Sequence, residues 1–227
     1  MIRIYLYCQT DRKEREERIA RAIACWQNEE QARIRDGYVC FGADRAEKQA
    51  AGKAEGFPAW QVVKTERGKP FFAGLSDRYL SLSDTGNMAA VAIGDRELGI
   101  DLQQTKAGSK QEETLIRVAE RFFPDRDLDY CLPAEIRKKR KDAGAARAWQ
   151  HLDGEEQKKV RGRFFKLWTM KEAWCKYTGE GIGKDFLERS ILEVAEALWL
   201  ETREPFPDVL LSICTEREEP DLKLVYM

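Results

Sequence analysis

The most informative part of the sequence is FFKLWTMKEAWCK, which spans Phe164–Lys176. Its apolar residues recur at helical spacing and predict a packed face made of Leu167, Met170 and Trp174. Trp168, Glu172 and Lys176 lie at i, i+4 and i+8, so they share one stripe of the same helix. A carboxylate one turn from an ammonium group can hold a metal ion and a phosphate oxygen together. An ordinary ion pair on a helix surface has the same spacing.

A second informative stretch, LGIDLQ, spans Leu98–Gln103 and alternates as a β-strand does. Its apolar residues point to one side and are Leu98, Ile100 and Leu102. Asp101 and Gln103 share the opposite face, where two oxygen donors on a rigid strand suit a hard cation such as Mg²⁺. An aspartate that only aids solubility would give the same pattern. The turn-like residues 94–96 predict that residues 97–103 return as the hairpin partner of residues 89–93.

The rest of the chain contains further strand and helix patterns on both sides of a polar segment at residues 106–111. The other predicted strands are Arg3–Cys8, Trp60–Lys64, Tyr79–Ser83, Leu198–Glu201, Val209–Thr215 and Leu222–Tyr226. The predicted helices are residues 10–36, Glu112–Phe123, and Arg163–Tyr177, which ends near Gly179. Because strand, helix and hairpin occur on each side of the polar segment, we predict an N-terminal half at residues 1–105 and a C-terminal half at residues 106–227.

The composition limits the classes of partner. The 39 basic and 40 acidic residues leave a net charge of −1, so the whole chain has no general attraction for nucleic acid or anionic membranes. No apolar stretch reaches the roughly 18 residues of a membrane span, and we expect a soluble, cytoplasmic protein without a membrane partner. The basic run at residues 137–141 suggests nucleic acid, but a run without interleaved aromatic residues is more typical of a solvated surface.

Histidine and cysteine chemistry is nearly excluded by the residue counts. The chain has one histidine, His151, in a polar stretch, and its six cysteines form no C-x-x-C pair. A Ser-His-Asp or Cys-His mechanism and a zinc site therefore lack the residues they need. Acid–base chemistry must come from carboxylates, lysine or a metal ion.

The two informative stretches together resemble the 4′-phosphopantetheinyl transferase superfamily. The match is carried by Gly99-Ile100-Asp101 and, downstream, by Trp168-Thr169-x-Lys171-Glu172-Ala173-x-x-Lys176. Supporting matches are Gly68-Lys69-Pro70, Leu82-Ser83-Asp84-Thr85-Gly86 and Ala119-Glu120-Arg121-Phe122-Phe123, all in the expected order. With a full first half, the chain is similar to the monomeric Sfp-type branch rather than to the short trimeric holo-synthases.

The resemblance implies both a fold and a reaction. The fold is α+β, with two similar halves related by pseudo-twofold symmetry and coenzyme A (CoA) bound in the cleft between them. The reaction moves the 4′-phosphopantetheine arm of CoA onto a serine of an apo acyl or peptidyl carrier protein and releases 3′,5′-ADP.

The resemblance also assigns roles to residues of this chain. Mg²⁺ would be held by Asp101, Gln103 and Glu172, and Asp101, Glu172 and Lys176 would form the catalytic group. Glu172 would take the serine proton, directly or through a metal-bound water, and Lys176 would pair with the diphosphate. The residues that would bind CoA are Lys69, Pro70, Ser83, Asp84, Thr85, Lys171 and Lys176.

The chain departs from the family pattern at the nucleotide end of the site. The metal pair is usually Asp-x-Glu, whereas here it is Asp101 and Gln103, so one negative charge is lost. A histidine normally stands beside the CoA 3′-phosphate, and here that position is Asp84. Either a lysine or arginine elsewhere holds this phosphate, or the protein discriminates weakly between CoA and 3′-dephospho-CoA. Candidates for the basic segment of the first half are Arg33, Arg35, Arg45, Lys48 and Lys53.

Two alternatives to a transferase remain at this stage. The chain could be a degenerate family member that binds a carrier protein or a nucleotide without transferring anything. It could also bind nucleic acid or an acidic protein through residues 137–141. Transfer to an apo-carrier distinguishes the first alternative, and salt-dependent retention on DNA distinguishes the second.

Overall fold

The computed structural model describes residues 1–8, 15–35, 61–105, 112–139, 149 and 152–227. The strands are β1 (Ile2–Cys8), β2 (Gln61–Lys64), β3 (Pro70–Ala73), β4 (Tyr79–Thr85), β5 (Met88–Gly94), β6 (Leu98–Gln104), β7 (Trp199–Phe206), β8 (Val209–Thr215) and β9 (Leu222–Tyr226). The helices are α1 (Arg15–Arg35), α2 (Glu112–Phe122), α3 (Asp125–Cys131), α4 (Ala134–Lys139), α5 (Gly154–Thr178), α6 (Lys184–Glu188) and α7 (Ile191–Ala197). This mixture confirms the predicted α+β class.

The described strands form two sheets. The larger has the order β2-β3-β4-β5-β1-β9, and the smaller has the order β6-β8-β7. Neighbouring strands are antiparallel except β1 and β9, which run parallel. No helix in the described part of the chain is long and apolar enough to cross a membrane.

Three apolar clusters stack these elements into layers. The outer face of the large sheet packs on α1 through residues such as Tyr5 and Trp26. Its inner face packs on the small sheet through a cluster that includes Ile4 and Ile100. The other face of the small sheet lies against α5 and the shorter helices, with Leu167 fully buried. The order is therefore helix, large sheet, small sheet, helices.

The predicted hairpin between β5 and β6 is wrong. Both edges of β5 are occupied, by β4 and β1, so β6 cannot pair there. It pairs instead with β8, from Leu98 opposite Thr215 to Gln104 opposite Val209. Residues 95–97 therefore connect the two sheets instead of closing a hairpin.

Along the edge of β6 that has no neighbouring strand, backbone amides donate hydrogen bonds to hydroxyl groups of β4. The amides of residues 100, 102 and 104 donate to the hydroxyls of Ser81, Ser83 and Thr85, at 3.0, 3.0 and 3.2 Å. Alternation along β4 brings all three hydroxyls to the same side. Backbone donors of a buried strand must find such partners, and here side chains replace a neighbouring strand.

Helix α5 ends where the sequence predicts and begins earlier. Asp153 caps its start by accepting the amide of Glu156 at 2.8 Å, so the helix begins at Gly154 rather than at Arg163. Its end is capped by Gly179, whose φ of 73° is the left-handed conformation that glycine adopts without strain. The preceding polar region also contains α3 and α4, which the pattern did not predict.

Each side of the predicted boundary near residue 105 contributes one strand that pairs with a strand from the other side. β6 precedes the boundary and pairs with β8, whereas β9 follows it and pairs with β1. The division into two halves stays a prediction, and residues 106–111 lie outside the described residues.

Candidate active site

The site forms where β6 crosses α5, and a glycine permits this close approach. A methyl group at Gly99 would overlap the carbonyl oxygen of Ala173 and the amide nitrogen of Tyr177. Only glycine lets the strand and the helix meet at this distance. The crossing places Asp101, two residues further along β6, beside the polar stripe of α5.

Asp101, Ser83 and Lys176 form a closed polar triangle. The Ser83 hydroxyl donates to Asp101 Oδ1 at 2.9 Å, and Lys176 Nζ donates to the same oxygen at 2.8 Å. Lys176 Nζ also donates to Ser83 Oγ at 2.9 Å. The hydroxyl accepts the amide of Leu102 as well, so its one hydrogen and both lone pairs are used. This triangle fixes both charged groups.

The site holds two carboxylates and one ammonium group. Asp101 is only 7% exposed, and burial raises its pKa while Lys176 opposes the rise. Burial also raises the pKa of Glu172, and the negative charge of Asp101 raises it further against the effect of Lys176. Because burial disfavours the charged form of both carboxylates, a cation bound between them would lower the cost of their charges.

A complete metal site made of protein groups alone is absent from the described residues, where no group of three or more His, Cys, Asp or Glu could hold an ion. Asp101 and Glu172 nevertheless supply two carboxylates. Gln103 follows on the same face of β6, and its amide nitrogen donates to the carbonyl of Gln104 at 3.1 Å, which leaves its side-chain oxygen as a candidate ligand. Mg²⁺ commonly takes one or two carboxylates from the protein and the remaining oxygens from water and phosphates.

The residues of the predicted Ser83-Asp84-Thr85 segment point to opposite faces of strand β4. Ser83 and Thr85 point toward β6 and bond to it. Asp84 is exposed and, by strand alternation, lies on the opposite face. The structure thus brings Ser83 to Asp101 and Lys176, and it does not bring Asp84 to them.

A cavity of about 240 Å³ opens beside this triangle. Its walls are the β2–β3 turn, β4 at Ser81 and Leu82, and the end of α5 with Gly179. Four of its lining residues are basic, namely Lys64, Arg67, Lys69 and Lys176. Among the described residues that line it, none is acidic, so the cavity suits an anion.

Lys69 and Pro70, to which the resemblance assigns CoA binding, lie in the cavity wall. Lys69 Nζ donates to Glu97 Oε1 at 2.7 Å and to the carbonyl of Tyr177. A side chain at Gly179 would meet the Lys69 side chain at 2.9 Å, so the αL cap of α5 leaves room for this lysine. Lys69 therefore ties the β2–β3 turn to the end of α5.

Lys171 does not line the cavity. It is fully buried, donates to the carbonyl of Arg189 at 2.8 Å and lies 3.7 Å from Asp127. Burial lowers its pKa to about 8 and Asp127 opposes this. Asp127 also accepts the Ser190 hydroxyl at 2.6 Å and the amide of Ile191 at 2.9 Å. We call Asp127, Lys171 and residues 189–192 the buried node.

Trp168, on the predicted polar stripe, is partly buried in an aromatic cluster. Its ring stacks on Phe164 with centroids 6.1 Å apart and meets Phe122 edge-on at 5.5 Å and Phe186 edge-on at 6.0 Å. These contacts hold α5 against α2 and α6. Trp168 thus supports the helix that carries Glu172 and Lys176.

Sequence reasoning missed three residues of this site: Lys64, Arg67 and Glu97. Lys64 and Arg67 flank the predicted Gly68-Lys69-Pro70 match, so their neighbourhood was a usable signal. Glu97 carries no local signal, because its pairing with Lys69 depends on the crossing of β6. The side chains of the five basic candidates between residues 33 and 53 lie outside the described residues.

Comparison with known proteins identifies the family. The model of the 4′-phosphopantetheinyl transferase superfamily matches residues 97–208, which include β6 and all of α5. The chain belongs to this superfamily. The matched region contains Asp101, Gln103, Lys171, Glu172 and Lys176, whereas the cavity wall at Lys69 and the segment at Ser83 precede it.

Individual transferases of the superfamily match longer parts of the chain. A 4′-phosphopantetheinyl transferase of Bacillus subtilis is 26% identical over 172 residues, which is 74% of this chain and 65% of that protein. HetI of a Nostoc species is 34% identical over 125 residues, 52% of this chain and 41% of HetI. Sfp of Bacillus subtilis is 28% identical over 117 residues, which is 52% of this chain and 40% of Sfp. The chain thus spans from about two fifths to two thirds of these 4′-phosphopantetheinyl transferases.

Proposed function

We propose that the protein transfers the 4′-phosphopantetheine arm of CoA to a serine of an apo acyl or peptidyl carrier protein and releases 3′,5′-ADP. The observation that carries the proposal is the contact of Lys176 with Asp101, 2.8 Å apart, at the inner end of a basic cavity. Both residues lie in the region matched by the family model. The named activity of the relatives supports the same reaction.

The cavity supplies the anion-binding part of this function. CoA carries a diphosphate and a 3′-phosphate, and the described residues that line the cavity include four basic residues and no acidic one. We assign the diphosphate to the inner end, where Lys176 can pair with it as a compact point charge. Ser83 keeps the ammonium group in position through its 2.9 Å hydrogen bond.

Mg²⁺ fits the acidic side of the site. Asp101 and Glu172 would hold it, with the oxygen of Gln103 as a weaker third ligand, and the diphosphate would complete the shell. The ion would supply neutralisation of the charge that grows on the diphosphate during attack. The negative charge of Asp101 raises the pKa of Glu172, so a cation held by both carboxylates would favour their ionised forms.

Glu172 is the proposed general base. Burial and the charge of Asp101 raise its pKa, which makes it a better proton acceptor than an ordinary surface glutamate. It takes the proton of the carrier serine while the serine oxygen forms a bond to the β-phosphorus. The bond from that phosphorus to 3′,5′-ADP breaks, and Lys176 stabilises the departing phosphate.

Mass spectrometry of an apo-carrier protein tests the proposal. The carrier is incubated with CoA, Mg²⁺ and the protein, and its mass should increase by one phosphopantetheine group. A carrier of unchanged mass across a panel of acyl and peptidyl carriers, with folded protein present, would refute transfer. Binding of CoA or of a carrier in that case would favour the alternative of a family member that binds without transferring.

A further inference from the structure

A chain of three hydroxyl groups runs from β7 through β8 to α5. Thr202 Oγ1 lies 2.8 Å from Ser212 Oγ, and the Ser212 hydroxyl donates to Thr169 Oγ1 at 2.8 Å. The Thr169 hydroxyl donates in turn to the carbonyl oxygens of Phe165 and Lys166, at 2.9 and 3.1 Å. Because Ser212 uses its one hydrogen toward Thr169, the hydrogen bond between Thr202 and Ser212 must be donated by Thr202. The chain is thus directed toward α5.

The link between Ser212 and Thr169 is closed to solvent. Both side chains are 0% exposed, whereas Thr202 is partly exposed. A buried hydroxyl group that loses its partner is costly, so each of the two holds the other in place. Within the chain, this hydrogen bond joins the small sheet to α5, and the one between Thr202 and Ser212 stays inside the sheet.

The link lies between the two carboxylates of the candidate site. Ser212 stands opposite Asp101 in the antiparallel pairing of β8 and β6, and residues paired in this way project from the same face of a sheet. Thr169 precedes Glu172 by three residues, so the two are neighbours on the surface of α5. The hydrogen bond from Ser212 to Thr169 therefore connects the row of the sheet that carries Asp101 to the helical turn that leads to Glu172.

The side chain of Glu172 has no anchor of its own among the described residues. None of them forms a hydrogen bond or an ion pair with its carboxylate, although the charges of Asp101 and Lys176 act on it. Lys176, by contrast, donates to both Asp101 and Ser83. The place of Glu172 relative to Asp101 thus depends on where the backbone of α5 lies, whereas Lys176 is held by bonds of its own.

We infer that Thr169 is a positioning residue of the proposed transfer, and that the hydrogen bond it accepts from Ser212 keeps Glu172 where it can take the proton of the carrier serine. This inference rests on the proposed function. Thr169 is buried and acts through the backbone of α5, without touching a ligand. A misplacement of about 1 Å at a reacting group can cost about 100-fold in rate, so losing this bond affects the chemical step more than CoA binding.

Transfer kinetics and calorimetric titration of CoA test the inference together. Thr169→Val and Ser212→Ala each remove the hydrogen bond between the small sheet and α5. Thr202→Val is the matched control, because it removes a hydrogen bond of the same length, 2.8 Å, and leaves the link to α5 intact. Lys158→Gln is a surface control, because this exposed lysine lies about 21 Å along α5 from Glu172 at 1.5 Å per residue.

We expect kcat to fall by at least about tenfold in Thr169→Val and in Ser212→Ala. The KM and the Kd for CoA should stay within about threefold of the wild-type values, since the contacts of Lys176 are kept. Thr202→Val and Lys158→Gln should behave as the wild type, and Thr169→Ser, which keeps the hydroxyl group, should retain kcat within about threefold. Circular dichroism establishes that each variant is folded. If Thr169→Val does not fold, Ser212→Ala gives the same comparison, because it keeps the hydrogen bonds of Thr169 within α5.

A folded Thr169→Val or Ser212→Ala variant with the wild-type kcat would overturn the inference. An equal loss of kcat in Thr202→Val would also overturn it, because the effect would then be one of general stability. So would a fall in CoA affinity without a fall in kcat. In all three cases the wild type still transfers, and the proposed function stands. A wild type that transfers nothing to any carrier would overturn both.

Discussion

Asp101 is a buried carboxylate whose charge depends on two neighbours. Ser83 and Lys176 both donate to its Oδ1, and the ammonium group offsets the rise that burial causes in its pKa. A buried charge that loses such a partner is costly. The same ammonium group lines the anion cavity, so one lysine serves both the protein's own charge balance and the proposed ligand.

Replacing Lys176 should therefore affect binding and rate together. In Lys176→Ala, we expect CoA affinity and transfer rate to fall by at least about tenfold each, because the diphosphate loses a charge partner. Lys176→Arg should restore only part of both, since its planar fork differs in shape from an ammonium group. Calorimetry and transfer kinetics measure the two effects. Full activity in Lys176→Ala would reduce this residue to a surface ion pair.

The ionised side chain of Glu172 should lower the free energy of unfolding. Its pKa is raised in the folded protein, so folding favours the protonated side chain. This contribution to stability is complete below the ordinary pKa of 4.5 and is lost as pH rises through the raised folded-state pKa. At neutral pH, Glu172→Gln should then be more stable than the wild type by on the order of 1 kcal/mol. The difference should vanish below pH 4.5. Denaturant unfolding at several pH values measures it, and a less stable variant at pH 7 would contradict this view.

The helical spacing of Glu172 and Lys176 was sufficient to predict that these residues share a face. Spacing could not predict that Lys171, next to Glu172, is fully buried, because its partner Asp127 lies on α3, a short helix in a polar region. The exposure of Asp84 and the bonds of Ser83 also depend on where β6 lies. Contacts between elements, rather than patterns within them, decided these cases.

At the level of elements, the buried node joins α3, α5 and the start of α7. Asp127 and Lys171 are both fully buried, and Asp127 accepts hydrogen bonds from residues 190–192. The position of α5, and with it that of Glu172 and Lys176, is therefore fixed from the side away from the cavity.

Breaking the buried node should be strongly destabilising. Asp127→Ala leaves a buried ammonium group unpaired, and we expect a loss of about 3–5 kcal/mol of unfolding free energy. Asp129→Ala is the matched control on α3, because Asp129 is 53% exposed and its ion pair with Arg137 should contribute less than about 1 kcal/mol. Chemical denaturation of both variants gives the comparison. Equal stability of the two variants would show that the node contributes little.

Element types were easier to predict than element partners. Alternation predicted β1 and β8, and apolar spacing predicted α2 and α5, because each pattern is local. The partner of β6 was predicted wrongly because a strand pattern does not state which edge is free. β3 was missed because a strand of four residues that begins with Pro70 gives almost no periodic signal.

At the level of the whole molecule, residues 1–105 and residues 106–227 depend on each other for folding, because each contributes a strand (β6 and β9) to the sheet of the other. β6 completes the small sheet from before residue 105, and β9 extends the large sheet from after it. The α+β class follows from the sequence, whereas the exchange rests on pairings between residues far apart in the chain.

Neither part should fold alone. A fragment of residues 1–105 would leave β6 without its partner β8 and without the apolar side chains of β8 that pack between the two sheets, and one of residues 106–227 would lose β6, the partner of β8. We expect neither fragment to show a cooperative thermal transition by circular dichroism. Co-expression of both fragments is the control and should restore one. A cooperative transition in either fragment alone would contradict the interdependence.

The transfer rate of Asp101→Asn tests the central claim most directly. The amide keeps the side chain's size and removes the charge that is proposed to hold Mg²⁺, so transfer to an apo-carrier should fall by at least about 100-fold, a few kcal/mol of transition-state stabilisation. Lys158→Gln should keep the wild-type rate, and circular dichroism should show both variants folded. A folded Asp101→Asn variant that transfers at a near-normal rate would contradict the account.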